Sequence, residues 1–96
     1  MRAVYTREAH ANLNTILTDL LRENPIAAFA LAKSIDDAVI RISLFPKSAP
    51  VVAFGENVRV VTLTRYPYRI FYRLTPAAVE ILHVRHTSRA PWEGGR

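Results

Sequence analysis

Cysteine is absent from this 96-residue chain, which excludes disulfide stapling and any zinc site built on thiolates, and suits a reducing compartment. Lysine is scarce as well: two lysines stand against eleven arginines in a chain of net charge +5. A guanidinium suits bidentate contact with phosphate or carboxylate better than an ammonium does, so the cationic excess fits an anionic partner. There are only three glycines, and no glycine-rich phosphate loop, dinucleotide fingerprint or pair of catalytic carboxylates occurs. No apolar run approaches the length of a membrane span, and nothing resembling a signal-peptide core follows Met1-Arg2. A soluble, cytoplasmic chain without membrane contact is expected. The length predicts a single domain, 1–96, with 87–96 as its C-terminal tail, large enough to bury one core without metal or cofactor.

What is present reads as six elements. Ala3-Val4-Tyr5 is a short first strand, and Thr6 is placed to cap a helix whose first turn gains from Glu8. Leu13, Ile16, Leu17, Leu20 and Leu21 recur at helical spacing and predict a helix over Arg7 to Glu23. Asn24-Pro25 restarts the register, since Asn caps well and Pro is tolerated at the first helical position. The second helix carries its stripe through Ala28, Leu31, Ile35, Ala38, Val39, Ile42 and Phe45, and Pro46 ends it. After an ordered loop from Lys47 to Asn57 come three strands, Val58 to Thr64, Tyr68 to Leu74 and Val79 to His86, joined by connections short enough for an antiparallel meander. The order β-α-α-β-β-β predicts an α+β fold, with an antiparallel helical hairpin packed on one face of a small, mostly antiparallel sheet.

The arginines concentrate on these last strands. Alternation along Tyr68 to Leu74 sends Tyr68, Ile70, Tyr72 and Leu74 toward the helices and Arg69, Phe71 and Arg73 to the other face, where Arg59 of the neighbouring strand is expected to join them. The plainer alternative is that these arginines form solvated ion pairs with the eight acidic residues, each worth little. His86, Arg89 and Trp92 follow where the last strand ends. His83 and His86 stand three apart in a strand, point to opposite faces and cannot chelate one ion, so no metal site is expected. Ser88 beside His86 lacks the spacing signal of a nucleophilic triad. Acid–base cleavage of RNA stays open, since it requires only a positioned His, Tyr or Arg near the scissile phosphate.

The segment Tyr68-Arg69-Ile70-Phe71-Tyr72-Arg73-Leu74, a four-residue turn, Val79-Glu80-Ile81-Leu82-His83-Val84, then His86 and Arg89 resembles the signature of the RelE/ParE toxin superfamily of type II toxin–antitoxin systems. The resemblance implies a toxin neutralised within a hetero-oligomer by a cognate antitoxin that is small, DNA-binding and partly disordered. It also implies one of two targets, because RelE-like members cleave messenger RNA on the ribosome and ParE-like members inhibit DNA gyrase. Arg69 and Arg89 match arginines of the family. The lysines of the second strand in RelE-type nucleases fall on Val60 and Thr62, and the tail tyrosine of those enzymes is answered only by Trp92, which cannot serve as acid or base. These departures favour the ParE-like branch, a protein-binding inhibitor without catalytic residues. An endoribonuclease of the RelE type is the alternative, and it would rest on Arg69, His86 and Arg89. The expected target-binding surface comprises Arg59, Arg69, Arg73, His86, Arg89 and Trp92. An amphipathic antitoxin helix is expected against Leu13, Leu17, Leu31 and Ile35.

Overall fold

Thr6 turns the chain from strand to helix: its Oγ1 accepts the Ala9 N–H at 3.2 Å and donates to the carbonyl of Ile81 at 3.0 Å, so one side chain both caps the helix and anchors it to the sheet. Residues 1–52 and 57–88 are described in the computed structural model of the chain. The elements are β1 (Ala3–Tyr5), α1 (Arg7–Glu23), α2 (Pro25–Leu44), β2 (Val58–Thr62), β3 (Tyr68–Leu74) and β4 (Val79–His86). Asn24 is the whole junction between the helices. Its N–H closes α1 on the Leu20 carbonyl, and its Oδ1 accepts the Ala27 N–H at 3.1 Å to open α2, with Pro25 following at the first helical position.

The strands form one sheet in the order β1-β4-β3-β2. β1 runs parallel to β4, with Ala3 opposite Val79 and Tyr5 opposite Ile81, while β2–β3 and β3–β4 are antiparallel. The register slips once. Tyr72 pairs with Ile81 but Phe71 pairs with His83, leaving Leu82 as an extra residue in β4.

Both helices pack on one sheet face, around a core of Leu31, Ile35, Ile42, Ile70, Tyr72, Val79, Ile81 and Val84, with Tyr68 and Leu74 packed against it. The expected orientation of β3 is therefore the observed one. Three expectations at element ends are corrected. β2 stops at Thr62 rather than Thr64, because the chain turns inward: Leu63 is buried and its N–H bonds the Tyr68 carbonyl at 3.0 Å. Phe45 closes α2 as its cap residue, with its side chain exposed rather than in the helix stripe. Leu21, assigned to the stripe of α1, is exposed, whereas Leu13, Ile16, Leu17 and Leu20 pack against the core.

Candidate functional site

The face of the sheet turned away from the helices is built row by row. Residues directly opposite one another on antiparallel strands share a face, which gives three rows: Val58–Arg73–Glu80, Val60–Phe71–His83 and Thr62–Arg69–Arg85. Around the middle row lies a second small core, in which Val58, Phe71 and Leu82 are buried with Val52 and Val60 against them. This face was expected to be mainly cationic. It is instead an apolar centre flanked by charge, because Leu82 adds a side chain beside Phe71.

The two flanks differ. Arg73 has an acid, Glu80, as its cross-strand neighbour, whereas Arg69 faces another arginine, Arg85, and the exposed hydroxyl of Thr62. Arg85 extends Nη1 to within 3.4 Å of His83 Nε2, while its buried Nε has no hydrogen-bond partner among the described residues. Arg85 was not singled out from sequence. Strict alternation from Val79 would have turned it into the core, and only the extra residue at Leu82 turns it outward beside Arg69.

The same slip separates His86 from the arginines. His86 pairs with Tyr68 on the helix-facing side, its ring edge-on to the tyrosine with centroids 5.1 Å apart, and its Nδ1 accepts the Ser88 N–H at 3.0 Å. Ser88 Oγ also lies 2.7 Å from Nδ1. Arg69 and His86 thus occupy opposite faces of the sheet, so the pair that an acid–base nuclease would need is not brought together. His86 and Ser88 line a groove of about 540 Å³ between the free edge of β4 and α1, into which Asp19 and Glu23 also face. Beyond Ile81 no described strand covers β4 on this side. α1 supplies side chains instead, Asn12 Oδ1 accepting the Val84 N–H at 3.1 Å.

Arg59 also departs from expectation. It lies opposite Tyr72 and so on the helix-facing side, where its Nη1 donates to the carbonyls of Ala49 at 2.7 Å and Lys47 at 3.3 Å. Tyr72 ties down the same loop through its hydroxyl, which donates to the Pro46 carbonyl at 2.7 Å. Arg59 is thereby engaged in holding residues 46–49 rather than in joining Arg69 and Arg73. Of the residues expected to meet an antitoxin, Leu31 and Ile35 are 0% and 3% exposed. Their contacts are made within the chain's own core, which closes them to a partner, while Leu13 and Leu17 remain partly accessible. Arg89 and Trp92 lie outside the described residues.

His83, which the spacing excludes from a metal pair with His86, has close neighbours of its own. It is buried at the edge of β4, with Glu8 Oε2 at 3.4 Å from its Nδ1 and Phe71 edge-on at 6.5 Å between centroids. Burial lowers its pKa from the ordinary 6.5, Glu8 opposing that shift and Arg85 adding to it. With Nε2 accepting from Arg85, the ring proton sits on Nδ1 toward the carboxylate.

The comparisons agree with this architecture. A family model described as the ParE toxin of type II toxin–antitoxin systems, parDE, matches residues 3–91. Among solved structures, one described as a chromosomal ParDE toxin–antitoxin system from P. aeruginosa superposes with a TM-score of 0.76 at 24% identity, over 90% of this chain and 95% of that one. No curated protein matches the sequence. No described helix is long and apolar enough to cross a membrane. A sheet that carries paired arginines on its open face and a helical hairpin on the other, matched by the family model from β1 to beyond β4, places the chain in the ParE toxin family of type II toxin–antitoxin systems.

Proposed function

We propose that this chain is a growth-arresting toxin that inhibits DNA gyrase by binding it through the Arg69–Arg85 end of the open sheet face, and that a cognate antitoxin neutralises it. The observation that carries the reading is the composition of the row around Arg69. Thr62 and Val60 face the same side as Arg69 and stand where a nuclease of the superfamily would present lysines. Neither can neutralise a developing phosphorane charge or transfer a proton at neutral pH. His86, the remaining acid–base candidate, is on the other face. What is left is a rigid cationic patch of two arginines beside a small apolar core, the chemistry of a protein-binding surface in which arginine anchors are over-represented. Arg73 belongs to this surface at the end where Glu80 faces it across the ladder.

The deciding experiment adds purified chain to gyrase in a supercoiling assay and, in parallel, to a reconstituted translation system. Inhibition of supercoiling that is lost with Arg69→Ala, with messenger RNA left intact, is the expected result. Cleavage of ribosome-bound messenger that disappears with His86→Ala overturns the reading in favour of the nuclease.

A further inference from the structure

Arg69 and Arg85 face each other across the ladder between β3 and β4, and two like charges in that position repel. Among the described residues no carboxylate forms a salt bridge with Arg85. Its guanidinium is met instead by a ring nitrogen, His83 Nε2, 3.4 Å from Nη1. A neutral acceptor takes a hydrogen bond from a guanidinium without cancelling its charge. Arg85 is thus restrained in position and left fully cationic.

Which nitrogen of an imidazole accepts is set by the partner of the other. Glu8 Oε2 lies 3.4 Å from Nδ1 and draws the ring proton to that side, and burial keeps the ring from taking a second one. The fold brings Glu8 there by stitching the start of α1 to β4 on both sides of His83. Thr6 Oγ1 lies 3.0 Å from the Ile81 carbonyl and 3.2 Å from that of Leu82, and one turn beyond Glu8 the Oδ1 of Asn12 accepts the Val84 N–H at 3.1 Å. The extra residue at Leu82 turns His83 and Arg85 to the same face as Arg69. Glu8, His83 and Arg85 therefore form one chain of contacts from the first turn of α1 to the open sheet face.

We propose that Glu8 and His83 are positioning residues for target binding, a role that rests on reading the Arg69–Arg85 end as the surface that meets gyrase. Glu8 fixes the proton of His83 on Nδ1, and the bare Nε2 holds the Arg85 guanidinium beside Arg69. His83, 7% exposed, is too buried to meet the target itself and acts through Arg85.

Two measurements on the purified full chain separate this role from the choice of target. Nitrogen-15 spectra distinguish a protonated ring nitrogen from a bare one, and the His83 signals are those missing from His83→Gln. The natural chain should carry the proton on Nδ1, and Glu8→Ala should move it at least partly to Nε2 with unchanged far-ultraviolet circular dichroism. A proton on Nε2 in the natural chain, or a tautomer indifferent to Glu8→Ala, overturns the proposal whether or not gyrase is inhibited. In the supercoiling assay, His83→Gln keeps an amide oxygen to accept from Arg85 and an amide nitrogen to donate to Glu8, and should inhibit at close to the natural concentration. His83→Leu fills similar space with no acceptor and should require about tenfold more chain. Packing alone predicts the reverse order, since a buried leucine suits an apolar edge better than an amide does. Equal potency of the two variants, or a more potent leucine variant, overturns the proposal. A natural chain that leaves gyrase uninhibited overturns the gyrase reading instead, and the ring spectrum then decides by itself whether Glu8 sets the contact to Arg85.

Discussion

The two ends of the open sheet face carry the same residue type on the same strand and are nonetheless unlike. At one end Arg73 has Glu80 across the ladder; at the other Arg69 has Arg85. Opposite charges facing each other across strands stabilise a sheet modestly, and like charges facing each other destabilise it. The Arg69 end is therefore mildly unfavourable for folding, and a feature that costs stability at a surface is a better candidate for binding than one that adds to it.

The largest expected effect bears directly on that contrast. Arg69→Ala should abolish growth arrest on induction at equal expression, while Arg73→Ala should leave it nearly intact. Equal loss from both would erase the distinction between the ends. Next in size is the apolar centre between them. Phe71→Ala removes a buried ring and should lower the unfolding free energy by about 3 kcal/mol, read from urea denaturation. A loss under 1 kcal/mol would mean the centre is not a true core and the two ends are not held at a fixed spacing.

Acid should act on the same region through His83. Its pKa in the folded chain is below 6.5, because burial disfavours the charged ring, with Glu8 opposing and Arg85 reinforcing. The unfolded chain takes up that proton near pH 6.5 while the folded chain does not. His83 thus leaves stability undiminished above this range and reduces it as pH falls through 6.5 toward the folded value. Melting temperature followed against pH should show the decline, and His83→Gln should flatten it. The smallest effects differ in sign, which makes them informative. Glu80→Gln should cost about 0.5 kcal/mol, and Arg85→Gln should gain a similar amount by relieving the like-charge pair. Two losses of stability would show that cross-strand charge does not distinguish the ends.

The sequence made the architecture legible because its periodic signals are strong and its caps are explicit. Leu31, Ile35 and Ile42 repeat on one helical face, Asn24-Pro25 restarts the register, and Tyr68 to Leu74 alternates with only Phe71 out of step. The strand with an irregularity was not legible. Counting by twos from Val79 turns His83 and Arg85 inward and His86 outward, and one extra residue at Leu82 reverses all three. A bulge leaves no compositional mark in Ile81-Leu82-His83-Val84, since Leu and Val are equally at home on either face. His86 is grouped with Arg69 only through its place at the strand end and the family resemblance, and the face that Arg85 takes has no mark in the sequence. Arg59 was misplaced for a related cause, as the pair Val60-Val61 hides the phase of β2 and only the pairing with Tyr72 reveals it. Leu31 and Ile35 were assigned to a partner because a periodic stripe cannot say whether its complement comes from the same chain or another.

The parallel pairing of β1 with β4 has a consequence for how the molecule comes into being. Tyr5 meets Ile81, and Thr6 caps α1 while bonded to the carbonyls of Ile81 and Leu82, so the start of the fold is completed by nearly its last strand. During synthesis the helical hairpin can form early from local contacts, but β1 has nothing to dock against until β4 has emerged. The arginine surface on β3 and β4 is assembled in the same late event. A chain interrupted before β4 is left with an unpaired strand and an apolar hairpin face for proteases to find, so the arginine surface is complete only once β4 has been translated.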